Sequence, residues 1–335
     1  MTGGGELGVG VIGLGAMGRI HVGCLTARVP GARLAAVVDV DVEAARSVGI
    51  EHGVPHFTLT GALLQTPGVD AVVVATPAET HAEIVEAAAS AGKHILCEKP
   101  LDCRLIPIDR ALGSVDKAGV RLQVGFNRRF DRSFQRLQEE VEASRAGEVV
   151  SVHVISRDPV LPGPPRLIQG MSALFFDTTV HDFDMLRFLT GSDIEMVHVQ
   201  ASSAIHRQSG IDTAVLLVRM ANGVVATIDN SQAAYGYDQR VEVFGTRGAL
   251  SVGNELEDTV SLADAAGFHA PRRPYFFAQR YSQSYIDQMR SFVEAVTGGL
   301  PVSPTGADGR AATVAALAAQ RSVDERRPVE ISELT

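Results

Sequence analysis

Residues 7–18 read Leu7-Gly8-Val9-Gly10-Val11-Ile12-Gly13-Leu14-Gly15-Ala16-Met17-Gly18. The first six read as a short buried strand. The last six fit Gly-x-Gly-x-x-Gly, and the pattern after them turns helical as far as about Ala27. In that setting each glycine has a physical use. Gly13 permits a tight turn, Gly15 lets the backbone approach a pyrophosphate, and Gly18 lets the helix pack closely on the strand. The backbone N–H groups from Ala16 and Met17 onward then face phosphates at the helix start. Glycine turns also occur in α/β proteins that bind no nucleotide. Here a second strand over 33–38 ends at Asp39, about twenty residues beyond the loop, where a dinucleotide site places an acid. A carboxylate at that point accepts hydrogen bonds from adenosine ribose hydroxyls and repels a 2′-phosphate, so NAD is expected over NADP. Arg46 lies too far along the next helix to clamp a 2′-phosphate.

Working outward, the pattern predicts a helix near 41–52, a strand over 70–75, a helix over 79–91, a strand over 94–97, a helix near 103–118 and a strand over 121–124. Strands alternating with helices at this spacing describe a doubly wound parallel sheet, a Rossmann-type α/β domain over residues 1–125. The pattern changes after about residue 149. Strand-like segments then crowd together at 149–157, 194–206, 211–220, 223–232, 238–245 and 248–252, joined by turns such as Ala221-Asn222-Gly223. Helices are predicted only near 172–190, 281–297 and 305–321. Residues 126–335 are therefore expected to form an α+β domain with a large, mostly antiparallel, open-faced sheet. The helix at 305–321 is expected to pack back on the first domain, and Pro159–Pro165 reads as a loop.

The bulk composition excludes several classes. A chain of 335 residues exceeds one typical core. A net charge of −9 argues against a nucleic-acid face. With 45% hydrophobic residues the chain has enough to bury, so disorder is not expected. Three cysteines, Cys24, Cys97 and Cys103, make neither a disulfide framework nor a zinc cluster, and reduced thiols in a cytoplasmic protein are the expectation. The amino terminus has no basic region or separate cleavage site, and no apolar run approaches 18 residues, so neither a signal peptide nor a membrane contact is expected.

Two further segments carry chemistry. Glu98-Lys99-Pro100 follows a predicted central strand and Thr76-Pro77 the preceding one. Ligands of open α/β sheets bind beyond the carboxyl ends of the strands, so both should face the nicotinamide end. Of 30 basic residues only Lys93, Lys99 and Lys117 are lysines, and an ammonium has a tunable pKa that a guanidinium lacks. The second segment is Asp177-Thr178-Thr179-Val180-His181-Asp182-Phe183-Asp184. On a helix Asp177 and His181 share a face. A carboxylate can orient an imidazole as general base for a hydroxyl proton. A solvated helix histidine is the plainer reading. A metal on His181, Asp182 and Asp184 is disfavoured, because residues so close in sequence do not converge from one helix.

Taken together, GLGAMG, Ala75-Thr76-Pro77 with His81, Glu98-Lys99-Pro100, DxxxHDxD and the tail Asp308-Gly309-Arg310 resemble the Gfo/Idh/MocA oxidoreductases over nearly the whole chain. Within that family the chain is most similar to the inositol 2-dehydrogenase branch, through Gly125–Asp131, Ser156-Arg157-Asp158-Pro159 and Tyr235-Gly236-Tyr237-Asp238. The resemblance implies oxidation of a secondary hydroxyl of a cyclic polyol, with Lys99 and His181 at the reacting hydroxyl and Asp177 behind His181. It implies Thr76, Pro77, His81, Glu98 and Lys99 at the cofactor and no metal. It also implies polyol contacts from Arg129, Asp158 and Tyr281, a cis Lys99-Pro100 bond and a homotetramer. Another sugar or inositol isomer as substrate, or a non-catalytic NAD-binding sensor, are the competing readings. One departure stands out: Gly170-Met171-Ser172-Ala173-Leu174-Phe175-Phe176 lacks the glycine pair that the branch carries before its aspartate, and its bulk is expected to reshape the substrate pocket.

Overall fold

β1 (Leu7–Ile12) is buried at every position. After it come α1 (Ala16–Ala27), β2 (Ala32–Val38), α2 (Val42–His52), β3 (His56–Phe57), α3 (Thr60–Leu64), β4 (Ala71–Val74), α4 (His81–Ser90), β5 (His94–Cys97), α5 (Leu105–Ala118) and β6 (Leu122–Val124). The six strands form one parallel sheet in the order β3-β2-β1-β4-β5-β6. β4 is a run of Ala71 and three valines with no exposed position, as a strand covered on both faces requires. The strand order reverses between β1 and β4, so the loops leaving these strands open a crevice at the carboxyl edge. The same two loops touch. Gly13 has φ +89°, and a Cβ there would lie 2.6 Å from the Ala75 carbonyl oxygen.

The computed structural model describes residues 6–159, 167–168, 171–203 and 210–335. The chain divides into two units, one of Met1–Phe130 with Gln283–Thr313 and one of Asp131–Ser282 with Val314–Thr335. Residues 126–130 and Gln283–Thr313 therefore belong with the parallel sheet, whereas the sequence reading placed the whole of 126–335 in the second domain.

The second unit opens with α6 (Arg132–Glu142), capped by the Asp131 carboxylate on the Ser133 and Phe134 amides. β7 (Val149–Pro159), β8 (Leu167–Ile168), β9 (Met171–Ser172), a π-helical segment Leu174–Thr179 and α7 (Val180–Thr190) come next. β10 (Ile194–Ser202), β11 (Thr213–Met220), β12 (Val225–Ala234), β13 (Asp238–Gly245), β14 (Gly248–Val252), β15 (Leu262–Asp264), β16 (Gly267–His269), α8 (Phe277–Arg280), α9 (Ser282–Thr297), α10 (Gly306–Glu325) and β17 (Val329–Glu330) complete the chain. Seven strands form a sheet in the order β14-β13-β7-β12-β11-β10-β17. Its neighbours are antiparallel except β7 and β12, which run parallel. One face buries Ala214, Leu216, Val218, Ala226, Ile228, Val241 and Val243. The other leaves Val215, Leu217, Val225 and Phe244 about half exposed, an open sheet face.

Several expectations are adjusted. α6 was not foreseen, because its apolar positions Phe134, Leu137 and Val141 are diluted by charge, although Asp131 is a good cap. The two-residue strand β3 and the five-residue α3 are too short to show a period. The expected helix at 172–190 begins as a π-helix, with the Thr179 hydroxyl donating to the Leu174 carbonyl five residues back at 3.0 Å. Residues 204–206 of an expected strand, 160–165 of the expected proline-rich loop, and Gly170 lie outside the described residues. Among the described residues no helix is long and apolar enough to cross a membrane, and no cluster of three or more His, Cys, Asp or Glu could hold a metal.

Candidate active site

The glycine loop is built as a cradle. A Cβ on Gly18 would lie 1.8 Å from the Gly13 carbonyl oxygen, so the helix start packs directly on the turn. A Cβ on Gly15 would meet no protein atom within 4 Å. The protein leaves open the space in front of Gly15, as a pyrophosphate against this backbone requires. Asp39 closes the cradle at the end of β2. Its Oδ2 accepts from the Leu14 amide at 2.6 Å and its Oδ1 from the Asp41 amide at 2.9 Å. The acid is thus fixed to the loop it serves, and the residues fit a dinucleotide.

The Glu98-Lys99-Pro100 turn follows β5, and its Lys99-Pro100 bond is cis, as expected. Of residues 95–103 only Lys99 is not buried. The turn is held from several sides. His21, on α1 and wholly buried, meets Glu98 Oε1 through Nε2 at 2.7 Å. His81 meets the Pro100 carbonyl through Nδ1 and the Thr76 carbonyl through Nε2, both at 2.7 Å. Burial holds the His81 ring below its ordinary pKa, against the two carbonyls and Glu98, which raise it. The tail motif packs behind the same turn. A Cβ on Gly309 would lie 2.8 Å from Leu101 and 3.1 Å from Val124, Asp308 pairs with Arg129 at 3.2 Å, and Arg310 pairs with Asp109. The neighbouring thiol is held in its neutral form: burial pushes Cys97 well above its ordinary pKa, with the Glu98 charge adding to this.

In the second unit every residue from Ser172 to Leu186 is buried except exposed Asp177 and half-buried His181. A π-helical turn, closed by i to i+5 bonds, still brings residues four apart round to one side, and that side is the accessible one. Two polar ties from β12 fix the segment. Gln232 Nε2 donates to the Thr178 hydroxyl at 2.8 Å, and Asn230 Nδ2 donates to Asp182 Oδ2 at 2.9 Å. Asp182 and Asp184 are buried in the unit and do not share the accessible side. Leu174, Phe175 and Phe176 are wholly buried, so the bulk that departs from the branch pattern fills the core rather than an open surface.

The remaining sequence candidates fall differently. Asp158 is half-buried near the end of β7. Its neighbour Arg157 pairs with Asp229 on β12 and lies opposite Asp238 on β13. Arg129 is engaged by Asp308. Tyr281 is 1% exposed, with the Tyr237 ring edge-on at 5.9 Å and the Arg280 guanidinium 4.7 Å over its face. Sequence reading missed His21, whose partner is 77 residues away. The available signal was a histidine three residues after Gly18, on the helix that faces the phosphates.

The profile of the oxidoreductase family with an NAD-binding Rossmann fold, Gfo/Idh/MocA, matches residues 7–126, and that of the Gfo/Idh/MocA C-terminal domain matches residues 134–251. The chain belongs to this family. It is an NAD-binding oxidoreductase. A myo-inositol 2-dehydrogenase from Thermotoga maritima is 40% identical over 97% of this chain and 99% of its own. An inositol 2-dehydrogenase from Rhizobium meliloti is 38% identical over 96% and 98%. The crystal structure of a myo-inositol dehydrogenase from Lactobacillus casei, in complex with NAD(H) and myo-inositol, matches with a TM-score of 0.89 at 27% identity, covering 97% of each chain. For a Gfo/Idh/MocA protein, the departure at 170–176 leaves the fold intact.

Proposed function

We propose that the protein oxidises a secondary hydroxyl of a cyclic polyol with NAD, most plainly myo-inositol to 2-keto-myo-inositol. The observation that carries this reading is selective exposure. Lys99 alone surfaces from the buried run 95–103, and Asp177 and His181 alone from 172–186. Each of these is a polar or charged group left accessible in an otherwise buried run, where a group for acid–base work can meet a substrate. The similarity to inositol dehydrogenases supports the substrate class.

In this reading NAD, when bound, accepts the hydride from the carbinol carbon. Gly13, Gly15, Ala16, Met17 and Gly18 hold its pyrophosphate, Asp39 its adenosine ribose, and Thr76 and Pro77 border its nicotinamide. Glu98 and His81 are buried and support the turn that carries Lys99. His181, oriented by Asp177, takes the hydroxyl proton. Lys99 donates a hydrogen bond to the same oxygen and stabilises the negative charge that grows there. Asp158 contacts a neighbouring hydroxyl of the ring.

The test is a panel of inositols, hexoses and amino sugars with NAD and NADP, read at 340 nm. The expected result is myo-inositol-dependent NADH formation. A panel in which no polyol reduces NAD overturns the reading. Lys99→Ala and His181→Ala should each lower kcat at least about a hundredfold, with NAD affinity within a few-fold of wild type. Wild-type turnover in either variant removes that residue from the chemistry.

We also infer that the chain works as a homo-oligomer, with the tetramer of the family resemblance as the expected form. The half-exposed apolar row Val215, Leu217, Val225 and Phe244 supports a second copy on that sheet face. A cytoplasmic setting accords with NAD as cofactor and with Cys24, Cys97 and Cys103 as buried thiols.

A further inference from the structure

Lys99 does not sit on a strand or a helix. It sits on a turn, and a turn positions a side chain only as well as it is itself held. Two buried histidines from different helices grip the residues on either side of it. His21 of α1 reaches Glu98 Oε1 at 2.7 Å. His81, the first residue of α4 and 2% exposed, reaches the Pro100 carbonyl at 2.7 Å. The Glu98 carboxylate packs against the backbone of Gly125, where a Cβ would lie 2.8 Å from Glu98 Oε2. The second ring nitrogen of His81 lies 2.7 Å from the carbonyl of Thr76, in the loop that follows β4. His81 therefore also joins two loops on the rim of the sheet.

The two nitrogens of His81 do different things. Nδ1 serves the turn that carries Lys99, and Nε2 serves the Thr76 loop. A carbonyl oxygen only accepts, so each contact needs an N–H. The neutral ring, which burial favours, has one, and the charged ring, which both carbonyls and Glu98 favour, has two. Lys99 is the other charged group acting on the ring, and it opposes the cation. His21 has a simpler task. It faces one carboxylate, and its Nδ1 has no hydrogen-bond partner among the described residues. An Nε2–H tautomer satisfies Glu98 and leaves only a lone pair unmatched.

We propose that His21 and His81 are positioning residues for Lys99, clamping its turn through the Glu98 carboxylate on one side and the Pro100 carbonyl on the other. The role of Lys99 itself rests on the reading above. Neither histidine touches substrate. Their effect is to fix where the ammonium stands relative to the oxygen it must meet. The clamp therefore belongs to turnover and not to cofactor affinity.

The two nitrogens can be tested separately, because an asparagine amide N–H stands near the place of Nδ1–H and a glutamine amide N–H near that of Nε2–H. His81→Asn keeps the tie to Pro100, and His81→Gln keeps only the tie to Thr76. The expected result is a kcat about tenfold lower for His81→Gln than for His81→Asn, with the Kd for NAD within about threefold of wild type for His81→Gln, which keeps the Thr76 tie. For His21, Leu should lower kcat about tenfold, and Gln, whose N–H lies near the place of Nε2, should restore most of it. A second measurement does not depend on the substrate. Labelling of Lys99 by an amine-directed reagent, read by peptide mass spectrometry, should change at least about threefold in His81→Gln and His21→Leu and little in His81→Asn and His21→Gln. Equal kcat and equal labelling in all four variants overturn the proposal. So does a loss that falls on NAD affinity in His81→Gln or His21→Leu, or a failure of these two variants to fold, which would make the histidines structural. If the wild-type protein oxidises no polyol, the function fails, and the labelling still decides on the clamp.

Discussion

Gly15 and Gly18 stand three residues apart and tolerate a methyl group in opposite ways. The Gly15 backbone has φ −65°, a conformation open to any residue, and its added Cβ meets no protein atom. The added Cβ of Gly18 runs into the Gly13 carbonyl at 1.8 Å. Gly15→Val should therefore fold with a thermal midpoint within a few degrees of wild type while weakening NAD binding at least about tenfold, roughly 1.4 kcal/mol. Gly18→Ala should lose about 3 kcal/mol of stability by overpacking. Titration of NAD by protein fluorescence, beside thermal melts, checks both. A Gly15→Val protein with unchanged NAD affinity would show that no ligand approaches this backbone. At this scale the candidate site was legible wherever it is built on short spacing. The loop, Asp39, Lys99, and Asp177 with His181 are all read from neighbours within a few residues or one strand–helix unit. His21 with Glu98 and Arg129 with Asp308 were not legible, because partners 77 and 179 residues apart leave no periodic trace.

The segment Leu174–Thr190 carries Asp177 and His181, and its shape is decided by a strand it does not neighbour in sequence. Asn230 and Gln232 of β12 bind Asp182 and Thr178 from below, while the apolar side chains of Leu174, Phe175, Phe176 and Phe183 anchor it in the core. Asn230 and Asp182 are both fully buried, so removing one leaves the other with an unmet hydrogen bond. Asn230→Leu should cost about 2 kcal/mol in urea denaturation. If the variant is as stable as wild type, this tie does not hold the helix. The apolar pattern made a helix predictable here, and the spacing of Asp177 and His181 survives in it. The π-helical start was not predictable, because the apolar spacing of the segment does not distinguish i to i+5 from i to i+4 bonding, and its ties to β12 come from a strand distant in the chain. α6 shows the converse: its cap Asp131 was in plain view, but only three apolar residues mark its inner face.

For the molecule as a whole, the open face of the seven-stranded sheet is the surface on which the proposed assembly rests. Val215 and Leu217 on β11, Val225 on β12 and Phe244 on β13 are each about half exposed. A sheet face of this kind is stabilised by covering it, at roughly 25 cal/mol per Å² of apolar surface. Leu217→Glu should shift the protein toward monomer in light scattering while leaving the circular dichroism of the fold unchanged. A wild-type protein that is already monomeric at micromolar concentration contradicts the assembly. The open face was legible from alternation in β11 and β12. The parallel pairing of β7 with β12 inside an otherwise antiparallel sheet was not, because strands 70 or more residues apart in the chain are brought together by topology alone.

The way the chain is partitioned has a consequence for how such a protein can be taken apart or inherited. The half that holds the glycine loop is not one stretch of gene. Residues 1–130 need Gln283–Thr313, which bring Gly309 against Leu101 and Val124, Asp308 to Arg129 and Arg310 to Asp109. A single cut after residue 130 thus strips the wall behind the Lys99 turn. Recombination by a single crossover after residue 130 separates the two parts of the nucleotide-binding half, whereas a double crossover that exchanges residues 131–282 keeps them together. A new substrate half is therefore expected to arrive as an insert between two fixed flanks rather than as a terminal addition.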